Sequence, residues 1–288
     1  MKTVLSVQHA DRGHWVGDGF PVRTVFSHHN HAEQISPFLL LDYAGPAEFS
    51  PSEKPRGVEE HPHKGFETVT IVYSGEVEHR DSTGGGGIIG PGDVQWMTAA
   101  SGLVHEEMHG REFTKRGGTL EMVQLWVNLP AKDKQGKPHY QSITASQIPE
   151  VPLPDNAGVA RLIAGEYGGK VGPAHTFTPI NVWDVRLKAG HRAELPVPED
   201  HNTLLFVLSG KVELADNKTL GDAGLAIFDR RGEALTFIAV EDSKLLLLSG
   251  TPIDEPVVAH GPFVMNTEAE IRQAFEDFRA GRMGQLVS

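Results

Sequence analysis

Two short stretches of this chain carry residues of the right type and spacing to hold a metal. One is His61-Pro62-His63-Lys64-Gly65-Phe66-Glu67, and the other is His105-Glu106-Glu107. In each, two donor side chains sit two residues apart. On a β-strand, residues i and i+2 point to the same face, so each pair can present two ligand atoms on one side of its strand. If the two strands meet in a small barrel, four ligands converge on one point. Three neutral imidazoles and one carboxylate can hold a divalent metal and leave coordination positions open. Open positions are what a metal needs to bind substrate or oxygen.

Neither H-x-H nor H-x-E is specific alone; the surrounding elements supply the context. Thr68-Val69-Thr70-Ile71-Val72-Tyr73 is rich in β-branched residues, so the first pair runs into a strand. Ser74-Gly75 makes a turn, and Glu76 to Arg80 reads as the return strand. Pro91-Gly92-Asp93 makes a second turn before the short strand Val94-Gln95-Trp96-Met97. Strand, turn and strand between two ligand pairs is what a barrel requires. If the first strand is unbroken, Glu67 shares the face of His61 and His63, where it either orients a ligand imidazole or is solvated at the barrel mouth.

The run HPHKGFETVTIVYSGEVEHRDS, followed by PGDVQWMTAASGLVHEEM, resembles the signature region of the pirins, members of the cupin superfamily of small β-barrels. The resemblance continues at Ser36-Pro37-Phe38-Leu39-Leu40-Leu41-Asp42, and downstream at QLWVNLP, RLIAGEYGG and GPFVMNTEAEI, so it spans nearly the whole chain. It implies an all-β protein of two cupin-type barrels, a bicupin. It also implies one divalent metal per chain, held by His61, His63, His105 and Glu107. Fe(II) is the metal the resemblance favours, and Mn, Ni, Co, Cu and Zn accept the same donors.

The chain has 288 residues, enough for one large domain or two medium ones. Its 32 Gly and 19 Pro suit many short strands joined by turns. With no cysteine, disulfides, thiolate metal sites and Cys nucleophiles are excluded. The first residues lack the apolar run of a signal peptide, and no stretch approaches the roughly 18 apolar residues of a membrane span. We therefore expect a cytoplasmic protein with no membrane partner. A formal charge of −12 argues against direct nucleic-acid binding, which relies on Lys and Arg at phosphates. Of the 15 histidines, 11 lie in residues 1–150, which places metal-binding capacity in the first half.

An internal repeat gives the domain organisation. Val72-Tyr73-Ser74-Gly75-Glu76-Val77-Glu78 matches Val207-Leu208-Ser209-Gly210-Lys211-Val212-Glu213 at an offset of 135 residues. In that register His61 falls on Pro196, His63 on Pro198 and Glu67 on Asn202, so the second copy keeps strand and turn but loses the ligands. The stretch Leu129–Asn156 is polar and proline-rich and reads as the linker. This gives a metal-binding barrel over residues 1–135 and a metal-free barrel over 136–288. A C-terminal helix follows from a capping box at Thr267-Glu268-Ala269-Glu270, with Ile271, Phe275 and Phe278 as its apolar face and Gly281 as its stop. Two further motifs read as structural. His28-His29-Asn30-His31 is a surface loop rather than a ligand set. Gly84 to Gly87 lacks the Lys and Ser/Thr of a phosphate loop and is a hairpin connection. Trp96 and Trp126 read most simply as core aromatics, with a place in a pocket wall open to either.

For function, the resemblance implies a quercetin 2,3-dioxygenase, which opens the central ring of a flavonol with O2 and releases carbon monoxide. Glu107 would then serve as general base for the flavonol 3-hydroxyl. The alternative, implied by eukaryotic pirins, is a non-enzymatic metal or redox sensor acting through protein partners.

Overall fold

The β-branched run after Gly65 forms the strand Phe66–Ser74, and one sheet assembles around it. The computed structural model describes residues 1–286. It divides the chain into two units of like topology.

The unit with the histidines comprises Gly13–Thr24, Leu39–Ala145 and the residues from Ile253 on. Its larger sheet has seven strands, in the order His139–Ile143, Val94–Thr98, Phe66–Ser74, Gly118–Asn128, Phe38–Phe49, Phe20–Ser27 and Gly13–Val16. Its smaller sheet has four antiparallel strands, in the order Gly57–His63, Leu103–His109, Val77–Asp81 and Gly86–Ile89. Along Phe66–Ser74 the inward positions are Phe66, Thr68, Thr70 and Val72. Val72 joins an apolar cluster with Phe20, Val77, Phe113 and Leu120, which closes one part of the interior. Thr70 and Phe66 face the part where the histidines gather.

The other unit comprises Met1–Arg12, Val25–Phe38 and Ser146–Pro252. It repeats the pattern strand for strand. Seven strands run in the order Val4–His9, Gly224–Phe228, Asn202–Ser209, Ser243–Gly250, Ile180–Leu187, Gly158–Ala164 and Glu150–Pro152. Four run in the order Arg192–Pro196, Ala234–Ala239, Val212–Leu214 and Thr219–Leu220. The two-barrel, mainly β architecture expected from the repeat is therefore present.

The boundaries differ from a cut at residue 135. The chain passes between the units at Ala145/Ser146, inside the proline-rich stretch, and the ends are exchanged. Val4–His9 pairs with Gly224–Phe228, filling in the second unit the edge that His139–Ile143 fills in the first. The C-terminal segment belongs with the histidine unit, not with the barrel that precedes it in sequence. There Ile271 and Ala274 of the helix Glu268–Arg279 pack with Phe263, Met265, Met283 and Val104. Thr267 caps this helix by accepting from the Glu270 backbone N–H at 3.2 Å. Its apolar face is narrower than expected, since Phe278 is 40% exposed and Ala274 takes the buried place.

His28–Ile35 is a helix rather than a loop. Ser27 accepts from the His29 backbone N–H, and this N-cap outweighs the polar composition that suggested a loop. Gly84 to Gly87 does form the turn and first residues of the hairpin between Val77–Asp81 and Gly86–Ile89. No described helix is long and apolar enough to cross a membrane.

Candidate metal centre

Three of the expected ligands converge. His61 and His63 end the strand Gly57–His63, and His105 lies opposite His61 on Leu103–His109. The ligand atoms of His61, His63 and His105 all lie within 4.8 Å of one another. The i, i+2 spacing does this: Pro62 faces away, and the cross-strand register sets His105 against His61. His63 and His105 are buried, while His61 is half-buried at the mouth.

The protonation of the two buried rings suits a metal. Burial, then the neighbouring histidines, hold His63 and His105 well below the usual histidine pKa, so both are neutral at neutral pH. Carbonyl oxygens lie at Nδ1 of two rings: Glu59 O is 2.8 Å from His61, and Pro262 O is 3.4 Å from His63. A carbonyl only accepts, so each Nδ1 donates and each Nε2 keeps its lone pair. His105 Nε2 is buried and has no hydrogen-bond partner. Leaving a buried acceptor unpaired costs about 1–3 kcal/mol. A divalent cation at this point would satisfy it, and three imidazoles are a fitting donor set.

Glu107 is placed differently from expectation. Its carboxylate groups with His79 and His105, again within 4.8 Å, and not with His61 and His63. A bulge between His105 and Glu107 shifts the strand register at that point. The carboxylate is buried and holds three donors. Thr70 Oγ1 lies 3.2 Å from Oε1, Gln95 Nε2 also donates to Oε1, and Gln124 Nε2 lies 2.8 Å from Oε2.

Glu67 does not reach the site. Gly65, at φ +91°, breaks the chain between Gly57–His63 and Phe66–Ser74, which lie in different sheets. The parity of His61 and His63 therefore does not carry through. Glu67 lies on the opposite face from Thr68 and Thr70, accepts a 2.7 Å hydrogen bond from Thr98, and is pushed by burial to a pKa of about 7.

Sequence reading missed His79, Asp81, Gln95 and Tyr140. His79 Nε2 lies 3.2 Å from Asp81 Oδ2, and His79 Nδ1 lies 3.2 Å from His105 Nδ1. Burial works to raise the Asp81 pKa, but hydrogen bonds from His79 and Thr83 outweigh it and bring it to about 2. Tyr140 stacks on His79 with ring centroids 4.8 Å apart and 13° between planes, and its hydroxyl donates to Gln95. The His79-x-Asp81 spacing was a usable signal, since it repeats that of His105-x-Glu107. Trp126 is only half-buried; it packs on Phe66 and lies 5.4 Å from His63, at the edge of the site rather than in the core.

Comparison with known proteins places this geometry in a family. The Pirin model matches residues 19–127, and the Pirin C-terminal cupin domain model matches 182–284. A relative from Pseudomonas aeruginosa is 56% identical over 98% of both chains. The chain belongs to the pirin family. That relative carries the provisional name quercetin 2,3-dioxygenase. A pirin-like protein of Solanum lycopersicum is 39% identical, covering 93% of this pirin and 88% of its own length. A crystal structure described as quercetin 2,3-dioxygenase from Acinetobacter baumannii superposes with a TM-score of 0.97, at 50% identity over 100% of both chains. A bacterial pirin from Escherichia coli, solved in complex with nickel(II), shares the fold at a TM-score of 0.65 and 20% identity, covering 86% of this chain and 99% of its own.

A cleft of about 750 Å³ opens in the other unit beside Pro196 and Pro198. Among the described residues no group of His, Asp and Glu gathers there as at His105.

Proposed function

We propose that this pirin is a metal-dependent dioxygenase that opens the central ring of flavonols such as quercetin with O2 and releases carbon monoxide. The observation that carries the reading is the buried Nε2 of His105, which has no hydrogen-bond partner, on a ring whose ligand atom lies within 4.8 Å of those of His61 and His63. Similarity to the Acinetobacter baumannii protein supports the choice of reaction.

His61, His63 and His105 would hold one divalent metal, with Glu107 beside them; Fe(II) is our choice among the metals these donors accept. When bound, such a metal supplies a Lewis acid for the 3-hydroxyl and 4-carbonyl oxygens of a flavonol. Glu107 takes the 3-hydroxyl proton as general base. Thr70, Gln95 and Gln124 fix both of its oxygens, so the acceptor is oriented before substrate arrives. Trp126, backed by Phe66, gives an apolar wall beside His63 for the aromatic rings.

Oxygen uptake and carbon monoxide release with quercetin test this. Protein stripped of metal and reloaded with Fe(II), Mn(II) or Ni(II) should consume O2 with at least one of them, and stripped protein should not. Absence of uptake with every metal would favour the sensing role instead.

A further inference from the structure

We propose that His79, held by Asp81, is a positioning residue that fixes the tautomer of His105, so that His105 offers its Nε2 lone pair to the metal. The inference rests on the metal-centre reading above and assigns the part its neighbours play.

Donors and acceptors set the tautomers of both rings. A carboxylate only accepts, so at 3.2 Å from Asp81 Oδ2 the His79 Nε2 carries the proton. A neutral imidazole protonated at Nε2 has its lone pair at Nδ1. That Nδ1 lies 3.2 Å from His105 Nδ1, so with a single proton on His79 it is His105 Nδ1 that donates. The remaining lone pair of His105 is then at Nε2, the buried nitrogen that lacks a protein partner. Asp81 is itself held in place: its Oδ1 accepts from the Thr83 hydroxyl and from the backbone N–H groups of Thr83 and Gly85.

The three ligand histidines thus differ in their support. His61 and His63 lean on backbone carbonyls, whereas His105 leans on an imidazole backed by a carboxylate. Such a pair orients the ring and raises ligand basicity more than a lone carbonyl does. Tyr140 lies flat against His79 and reaches Gln95, which in turn donates to Glu107. One aromatic clamp therefore steadies the support of both His105 and Glu107.

The test compares His79→Phe with His79→Asn. Phenylalanine keeps a ring against Tyr140 but cannot accept from His105. Asparagine can place Oδ1 near the position of the original Nδ1. In metal-free protein labelled with nitrogen-15 histidine, His105 should be the Nδ1–H tautomer in wild type and His79→Asn, and should lose that tautomer in His79→Phe. Nickel affinity by chelator competition should fall roughly 10–100-fold in His79→Phe, and less in His79→Asn. Wild-type affinity in His79→Phe, or an Nε2–H tautomer in the metal-free wild type, would overturn the positioning role alone. Wild type that shows the expected tautomer but takes up no nickel would overturn the metal reading, and the role with it.

Discussion

The two units share strand order and differ in what fills them. The cross-strand registers align Thr70, Gln95 and Gln124 of the histidine unit with Leu205, Ala226 and Leu247 of the other. His61, facing His105, aligns with Pro196, facing Ala234, and His79 aligns with Leu214. One interior is a hydrogen-bonded network around Glu107; the other is a continuous apolar cluster containing Leu195, Leu205, Leu214, Phe237 and Leu247. The comparison teaches that the sheet frame does not need the polar interior. A buried polar network is costly unless fully satisfied, so retaining one is best explained by what it holds.

The comparison breaks most sharply at the imidazoles. His63→Ala or His105→Ala should take metal content from about one per chain to near none by elemental analysis, with loss of any metal-dependent turnover. The rise in melting temperature on adding metal should vanish too, because a ligand stabilises only the state that binds it. Two tightly held metals in wild type would break the asymmetry between the units outright.

Next in size is Glu107→Gln. It keeps an oxygen for one of the two neighbouring amides, sets an NH2 against the other, and removes the proton acceptor. At matched metal occupancy, turnover with quercetin should fall roughly 10²–10⁴-fold and recover in part at high pH. Wild-type turnover at neutral pH would end the base assignment.

Making one unit resemble the other is a gentler test. Leu205→Thr puts a hydroxyl, as at Thr70, among apolar neighbours with no partner of its kind. Stability to urea should fall by about 2–4 kcal/mol, with metal content unchanged.

The smallest effect sits outside the network. The Glu67 carboxyl has a folded pKa of about 7 against an ordinary value of 4.5, because it is buried. The folded state therefore holds more protons between these values, and its contribution to stability is lost as pH rises through that window. Glu67→Gln stays neutral and can still accept from Thr98. Its stability relative to wild type should climb from pH 4.5 to just above 7 and then level off, by at most about 3 kcal/mol. Metal affinity should not change, which distinguishes this placement from one beside a ligand.

Those placements mark where the sequence was legible. The H-x-H and H-x-E pairs could be read because strand parity is local, and the 135-residue repeat exposed the second barrel because turn chemistry at Ser74-Gly75 and Ser209-Gly210 is local as well. Glu67 was misplaced because parity fails across Gly65, and a glycine's φ is not written in the residues beside it. His79 and Asp81 carried the same i, i+2 signal as the ligands, but their partner is His105, 26 residues further along the chain. The exchange of Val4–His9 and the C-terminal helix was beyond reach, since periodicity marks a strand or helix and not its neighbour.

That exchange has a bearing on synthesis. Each unit is built from three separated segments, one taking Met1–Arg12 and the other the residues from Ile253 on, so neither is made from one continuous stretch of chain. The Pro196 barrel holds its first strand from the start but must wait for Ser243–Gly250. The histidine barrel emerges early, yet Pro262, whose carbonyl meets His63, arrives almost 200 residues after it. Domains usually fold one after another as they emerge; here the candidate metal centre can be completed only when nearly all of the chain has been made.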